Sequence, residues 1–539
     1  MSVVPNVRVV ALPRWLSVAD AERLALGLAA VSAALLRIAA IFRYRIDSDE
    51  PQHLHVIWGW THGLLQYRDV FDNHMPLFHI LFAPLLGIVG ERADALIAMR
   101  IAMLPLYAAM LALTWKISAS CYGRRAAIWS TVAAALVPGF LLCATEFRTD
   151  DLWTVFWLMA VALLVSGPLT NHRVAAAGLA LGLAAAVSAK TALLLVALIV
   201  GAAAAREIRI QRAAIFFAAF TIPVAAVAIY FAARGAWEPF SYGVIAHNLI
   251  PHVRIARLLL FPFLLALIAI VARRAADTPQ RLFLFITAHF YAAALFCLWP
   301  LVEREHWLPY YPLAAATLVP LLRVRQAMAL VLIEIVLVFG FGRLWHDETH
   351  EAIGVIEQTL QLTKPGQTVM DLKGETVFRQ RAFFYVLEPL TKHRIRSGRI
   401  RDTIVADMLR TRTMVVVGDH HGFPPATRAF LNKNFVSVGA VRVPGQRLRS
   451  ASFLVEVPAD YALVGEAHAF KGLLDCRPYS GPRYLQAGMH SIAPEAPDSY
   501  SLLWSRAADR GLTPKLSSGA HVRTFKRGTV CAKSLSRSF

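Results

Sequence analysis

A chain of 539 residues that is 57% hydrophobic and only 17% charged, with a mean hydropathy of +0.51, carries more apolar surface than a soluble fold of that length can cover. An ordinary water-soluble enzyme is excluded, and a polytopic α-helical membrane protein is expected. The net charge of +20 does not point to nucleic acid, because the basic residues recur in short loops between apolar segments, as the positive-inside bias requires.

A membrane span needs about 20 apolar residues. Segments of that character fall at 22–42, 98–119, 126–144, 152–168, 174–189, 191–205, 213–233, 256–272, 282–300, 308–322 and 326–344, about eleven transmembrane helices, with the pair around Lys190 short. The first is long and lacks a small-residue cleavage pattern, so it reads as an anchor and not as a cleaved signal. Lys116, Arg124 and Arg125, then Arg173, then Arg206, Arg209 and Arg212, then Arg273 and Arg274, then Arg323 and Arg325 occupy alternate loops. All fall on one side if the N-terminus is cytoplasmic. The opposite side then collects 43–97, 145–151, the turn at Lys190, 234–255, 301–307 and everything after 345.

The division expected is a transmembrane domain over 1–345 and a C-terminal soluble α/β domain over 346–539, on the outer, periplasmic face of the cell inner membrane. The outer loop 43–97 is too long for a connector and too apolar for a disordered one. Gln52–Leu65 and Pro76–Val89 carry helical periodicity and are expected to lie in the interface as amphipathic helices. In the second domain, β-type runs fall at Gln367–Leu372 and Thr413–Gly418, with a hairpin-like pair at Phe435–Arg442 and Ala451–Val457. No phosphate-binding glycine loop or nucleophile elbow is visible there. Cys476 and Cys531 both fall in this domain, and a disulfide between them would suit an oxidising compartment.

The chemistry concentrates on the outer side. Ionisable groups at a membrane boundary are costly to dehydrate, so a cluster of them marks a functional site. Asp49 and Glu50 are adjacent carboxylates after the first span. A carboxylate at a low-dielectric boundary has a raised pKa unless it is paired, which suits a general base. The plainer reading is a helix N-terminus, with Ser48 or Asp49 as cap and Pro51 early in the helix; the two readings are compatible. His53, His55, Asp72 and His74 belong to the same loop and read as polar site lining, since His-x-His spacing alone is no metal signature.

Glu146, Arg148 and Asp150 alternate across the next outer loop, where Arg148 can clamp a phosphate and the acids can bind hydroxyls. Lys190 sits between two short apolar halves, where a lysine must snorkel outward or meet an anion. Arg304 and His306 open a late span and are candidates for a leaving phosphate. Tyr310 follows in a Trp307-Leu308-Pro309-Tyr310-Tyr311-Pro312 run that also fits an interfacial aromatic belt.

Taken in order, these residues resemble a known pattern. The paired Asp49-Glu50 after the first span, Tyr67-Arg68-Asp69 followed by Asp72-Asn73-His74-Met75-Pro76-Leu77, Glu-x-Arg-x-Asp at 146–150, Lys190 and the 307–312 run are similar to the C-type (GT-C) membrane-embedded glycosyltransferases. Within that class the likeness is to the bacterial branch related to protein O-mannosyltransferases and lipid A aminoarabinose transferases, over about 45–345. The resemblance implies a polyprenyl-phosphate-linked sugar donor, a lipid, glycan or protein acceptor, and inverting transfer on the non-cytoplasmic face. It implies Asp49 as base, Glu146, Arg148 and Asp150 as the second loop's contribution, and Lys190 and His306 on the lipid phosphate; Glu50 and Asp150 stand with Asp49 as catalytic candidates. It implies no cofactor; a divalent metal is compatible with the acids but not indicated. One departure stands out. Asn73-His74-Met75-Pro76 occupies the place where relatives resemble an acid, a lysine and two prolines, so phosphate binding through His74 would depend on its protonation.

Two other classes compete. A transporter or flippase for a lipid-linked or anionic substrate would place charges at mid-membrane depth and show a repeated half; Glu334 is the acid deep in a predicted span, and no repeat is visible. A non-catalytic scaffold gives no reason for Asp49, Asp150, Lys190 and His306 to share one face.

Overall fold

The computed structural model describes residues 18–207, 209–249, 255–418, 421–496 and 498–514. Cys531, and with it the expected disulfide, lies outside the described residues.

The apolar segments fold into helices in chain order. They are α1 (Val18–Arg43), α2 (Asp49–Thr61), α3 (Leu77–Val89), α4 (Ala95–Ala102), α5 (Leu104–Tyr122), α6 (Arg124–Leu136), α7 (Pro138–Cys143), α8 (Thr149–Val165) and α9 (Asn171–Val187). They continue with α10 (Thr191–Ala204), α11 (Ile210–Ala233), α12 (Trp237–Ser241), α13 (Ile255–Ala275), α14 (Pro279–Leu298), α15 (Tyr310–Leu318) and α16 (Val324–Gly342). Six of the described helical segments are long and apolar enough to cross a membrane: Ala19–Arg43, Ala95–Tyr122, Ile210–Ala233, Ile255–Ala275, Pro279–Leu298 and Val324–Gly342.

The other expected spans are shorter or broken. The 126–144 segment breaks at Val137, whose extended backbone (φ −54°, ψ 119°) is what a residue before proline adopts. The α9–α10 pair breaks at Ser188 (φ −150°, ψ 127°), which brings Lys190 to the mouth of the bundle. Between α9 and α11 the backbones approach closely: a Cβ on Gly178 or Gly182 would collide with the carbonyls of Phe216 and Phe220. Small residues one helical turn apart permit this contact, as is common between membrane helices.

The two segments expected to lie in the interface, α2 and α3, differ in burial. All residues from Glu50 to Gly59 in α2 are buried, so α2 is enclosed on every side and not laid in an interface. Its cover comes from α3, from the bundle and from the C-terminal domain. α3 does expose apolar side chains, among them Leu81 and Ile88.

After the bundle, α17 (His350–Leu362) leads into a domain richer in strands than the sequence suggests. The strands are β1 (Val369–Met370), β2 (Val415–Val416), β3 (Phe435–Val438), β4 (Val441–Arg447), β5 (Ser452–Val455), β6 (Ala459–Gly465), β7 (Gly472–Leu474), β8 (Arg477–Pro478), β9 (Arg483–Leu485), β10 (Gly488–Pro494) and β11 (Tyr500–Trp504). One sheet runs β1-β2-β4-β11-β6-β9 with β3 beside β4, and a second runs β5-β10-β7-β8. Only β1–β2 is parallel among the described ladders. The expected hairpin partners are corrected: β3 turns directly into β4, pairing Phe435 with Pro444, whereas β5 crosses to β10, pairing Phe453 with His490. Ile356, Val377 and Phe378 join the apolar core of the bundle, so this domain is docked through packed side chains.

Candidate active site

The breaks between helices deliver the site. The turn after α1 carries Asp47 and Asp49, the α7–α8 loop carries Glu146 and Arg148, the α8 N-terminus carries Asp150, the α9–α10 break carries Lys190, and a 3-10 turn over Arg304–Trp307 carries Arg304, Glu305 and His306. At the centre is Arg148, with a side chain only 5% exposed. Its guanidinium meets Asp49 at 2.8 Å, Asp47 and Glu305 at 2.9 Å, Asp150 at 3.5 Å and Glu146 at 3.8 Å. Five acidic side chains surround this one cation, and those that are ionised offset the several kcal/mol that an unpaired buried charge costs.

Other cations share these acids. Lys190 Nζ lies 2.8 Å from Asp150 Oδ1 and 5.1 Å from the centroid of the Trp153 ring, so it points into the cluster and does not snorkel away from it. Arg304 pairs with Glu146 and the Tyr44 hydroxyl, and reaches Asp47 at 3.3 Å. Lys373, from the loop after β1, donates to Asp49 and to Ser48 Oγ at 3.1 Å. Asp49 is therefore held on both oxygens. Burial would raise its pKa, but Arg148 and Lys373 outweigh it and hold the carboxyl well below the usual range. Asp49 is thus the paired case, in which burial alone does not set the carboxylate.

Glu146 goes the other way. Burial dominates, Arg148 and Arg304 offset it only in part, and its carboxyl is pushed up to about 8. His306 is dehydrated and faces Lys190, which takes it down to about 3. The His306 ring accepts a hydrogen bond from the Glu303 backbone at 3.3 Å.

The residues of the first loop separate into two groups. Glu50 is fully buried and forms a fork with Arg100, at 2.6 and 2.7 Å, while accepting from Phe147 N at 2.9 Å and Asp47 N at 2.8 Å. It ties the two outer loops together, its carboxylate taken up by Arg100 and by backbone amides. Asp72 is also fully buried, bonded to His74 at 2.8 Å and Gln66 at 2.7 Å, with His79 at 3.6 Å. It is a hub for neighbouring side chains and not an open ligand. Burial would lower the His74 pKa, but Asp72 raises it, so His74 is the ring of this group that holds its proton. His53 is neutral, through burial first and then His74 and His79, and bonds His79 at 3.0 Å. His55 meets Val377 O of the C-terminal domain at 2.7 Å. Tyr310 packs among His289, Trp307 and Tyr311 and makes no polar contact with the cluster.

Several members escape a reading of the sequence. Asp47 and Glu305 are neighbours of marked residues, and Lys373 lies in a domain with no motif. Arg37 and Arg100 did carry a signal, being charges inside predicted spans. Arg37 is buried and donates to Thr145 Oγ1 at 2.9 Å and Leu141 O at 3.1 Å, pinning the chain just before Glu146.

No protein-family model matches the chain, and no curated protein matches it either. Solved structures do. ArnT from Cupriavidus metallidurans bound to undecaprenyl phosphate superimposes with a TM-score of 0.57 at 12% identity, over 79% of this chain and 98% of that one. The chain has an ArnT-like fold. The apo state of the same protein gives 0.55 at 12% identity over the same shares. The Archaeoglobus fulgidus oligosaccharyltransferase tethered with an acceptor peptide gives 0.45 at 10% identity, over 88% of this chain and 76% of that one. The likeness to the Cupriavidus protein is one of fold, over 79% of this chain.

Two outcomes test the geometry. Glu50→Gln strands Arg100 and should cost about 3–5 kcal/mol, whereas Glu50→Gln with Arg100→Met should recover much of the loss; thermal unfolding of the purified proteins measures both. For Glu146, the raised pKa means the folded state favours the protonated acid. Its contribution is full below the ordinary value of 4.5 and is lost as pH rises through about 8. The melting temperature of the wild type relative to Glu146→Gln should accordingly fall between pH 5 and pH 8.

Proposed function

We propose that the protein transfers a sugar from a polyprenyl-phosphate donor to a hydroxyl of a lipid, glycan or protein acceptor on the outer face of the inner membrane, with inversion and with Asp49 as general base. The observation that carries this reading is the convergence of Asp49 and Asp150 with Arg148, Lys190 and Arg304 at the mouth of an ArnT-like bundle. The bound ligand of the Cupriavidus protein, undecaprenyl phosphate, is the chemical class that such a mouth would accept.

A polyprenyl-phosphate sugar is a phosphodiester with one negative charge. When the bond between the anomeric carbon and the phosphate oxygen breaks, the leaving phosphate gains a second. Preorganised cations that strengthen with that charge lower the barrier. Lys190, Arg148 and Arg304 are the groups for this role, with His74 assisting while protonated. Each is paired with a carboxylate, so the phosphate enters by sharing cations with acids. That sharing has a second effect. Drawing Arg148 toward the phosphate releases one oxygen of Asp49 and raises its basicity, so donor binding itself prepares the base. Glu146, protonated up to about pH 8, adds no charge against the donor at neutral pH.

The test is release of polyprenyl phosphate from a panel of polyprenyl-phosphate sugars by purified protein, with a membrane extract as source of acceptor. Turnover should fall by about 10²–10⁴ in Asp49→Asn with donor binding retained. Absence of turnover across the panel by folded wild type would reject the reading.

A further inference from the structure

The loop that follows β1 is built to hold one shape. Asp371 accepts hydrogen bonds from the backbone of Gly374 and Thr376, both at 3.0 Å, from the Thr376 hydroxyl at 2.6 Å and from Arg381 at 2.7 Å. Val377 sits at φ +56°, a conformation that a β-branched residue adopts only when its surroundings impose it. Gly374, at φ +110°, lies so close to α2 that a Cβ there would come within 3.0 Å of His55 Cβ and 3.4 Å of Gln52 Cα. Arg379 fastens the far end to Glu91 at 2.8 Å. The product of this construction is the placement of Lys373 on Asp49 and Ser48.

Lys373 also lines a cavity of about 300 Å³ between α2 and the C-terminal domain, together with Gln52, His55, Phe71, Arg381 and Phe384. Amides, a guanidinium and aromatic faces are the surfaces that hold hydroxyls and the C–H faces of sugar rings. The ammonium thus stands between this cavity and the proposed base, and both oxygens of that base are occupied, one by Lys373 and one by Arg148.

We propose that Lys373 guards Asp49: it withholds the carboxylate from water while donor is bound and yields it to a saccharide hydroxyl entering from the adjoining cavity. The inference rests on the transferase reading above. In the guarded step the acceptor O–H gives its proton to Asp49, the oxygen bonds to the anomeric carbon, and the sugar–phosphate bond breaks with its electron pair leaving on the phosphate. Water in place of the acceptor would give free sugar by the same balance, a wasteful hydrolysis. Once displaced, the ammonium retains Asp47 and Glu388 as the next acids around it; Glu388 is itself held by His247 at 2.7 Å and Asn73 at 3.3 Å. Lys373 is a positioning residue acting through Asp49, and it makes the C-terminal domain part of the transfer site.

The experiment compares full-length wild type, Lys373→Met and Lys373→Arg with a polyprenyl-phosphate sugar, with and without membrane extract. Lys373→Met should raise acceptor-free release of polyprenyl phosphate on the order of tenfold, short of the full effect of a general base. It should also lower the share of sugar that reaches acceptor, and Lys373→Arg should restore the wild-type partition. A purely structural role would lower both rates together. Unchanged or lower acceptor-free release by a folded Lys373→Met protein, while wild type transfers to the extract, would overturn the guard alone. No release by wild type under any condition would overturn the transferase reading, and the guard with it.

Discussion

A guanidinium with 5% of its side chain exposed is tolerable only inside a shell of acids, and Arg148 has five of them, drawn from three separate stretches of chain. This constraint fixes more than one residue. Asp47 and Asp49 must leave α1 by a sharp turn, Glu146 and Asp150 must flank Arg148, and Glu305 must arrive from the far end of the bundle. The Glu50–Arg100 fork and the Arg37 contacts brace the same turns from behind. These pairs hold the same turns that carry the site, so stability and site geometry are linked.

The same arrangement leaves the site in a locked charge state. Asp49 is depressed and doubly held, Glu146 is lifted to about 8, and His306 is driven to about 3. Two carboxyls pushed apart by their surroundings give one group that is ionised and one that holds a proton at neutral pH. In the proposed reaction a donor phosphate competing for Arg148 would shift this balance toward a free Asp49, with the proposed guard at Lys373 as a second condition.

The sequence made the site's location legible because the membrane penalises charge: Asp49, Glu146, Arg148, Asp150, Lys190 and Arg304 stood out at the ends of apolar runs and do meet in space. Roles were less legible. Adjacent residues such as Asp49 and Glu50 point apart, but nothing in the sequence indicates that the partner of Glu50 is Arg100, 50 positions away. Lys373 is 324 positions from Asp49, in a loop whose shape depends on Asp371 and a strained Val377, and no periodicity reports such a contact. The strands β7, β8 and β9 have only two or three residues, and β10 is buried fully only at Ile492, so alternation gives little signal there. The break at Val137 divides one apparent span, whereas the break at Ser188 falls at the turn the sequence places at Lys190.

The central claim is that this charged mouth binds a lipid phosphate, and the most direct measurement is the thermal shift of the full-length protein with a polyprenyl phosphate against the neutral polyprenol of equal length. The account predicts a saturable rise in melting temperature with the phosphate, little with the alcohol, and loss of the difference in Lys190→Met. Equal shifts from both lipids, or a phosphate-specific shift that survives in Lys190→Met, would contradict it.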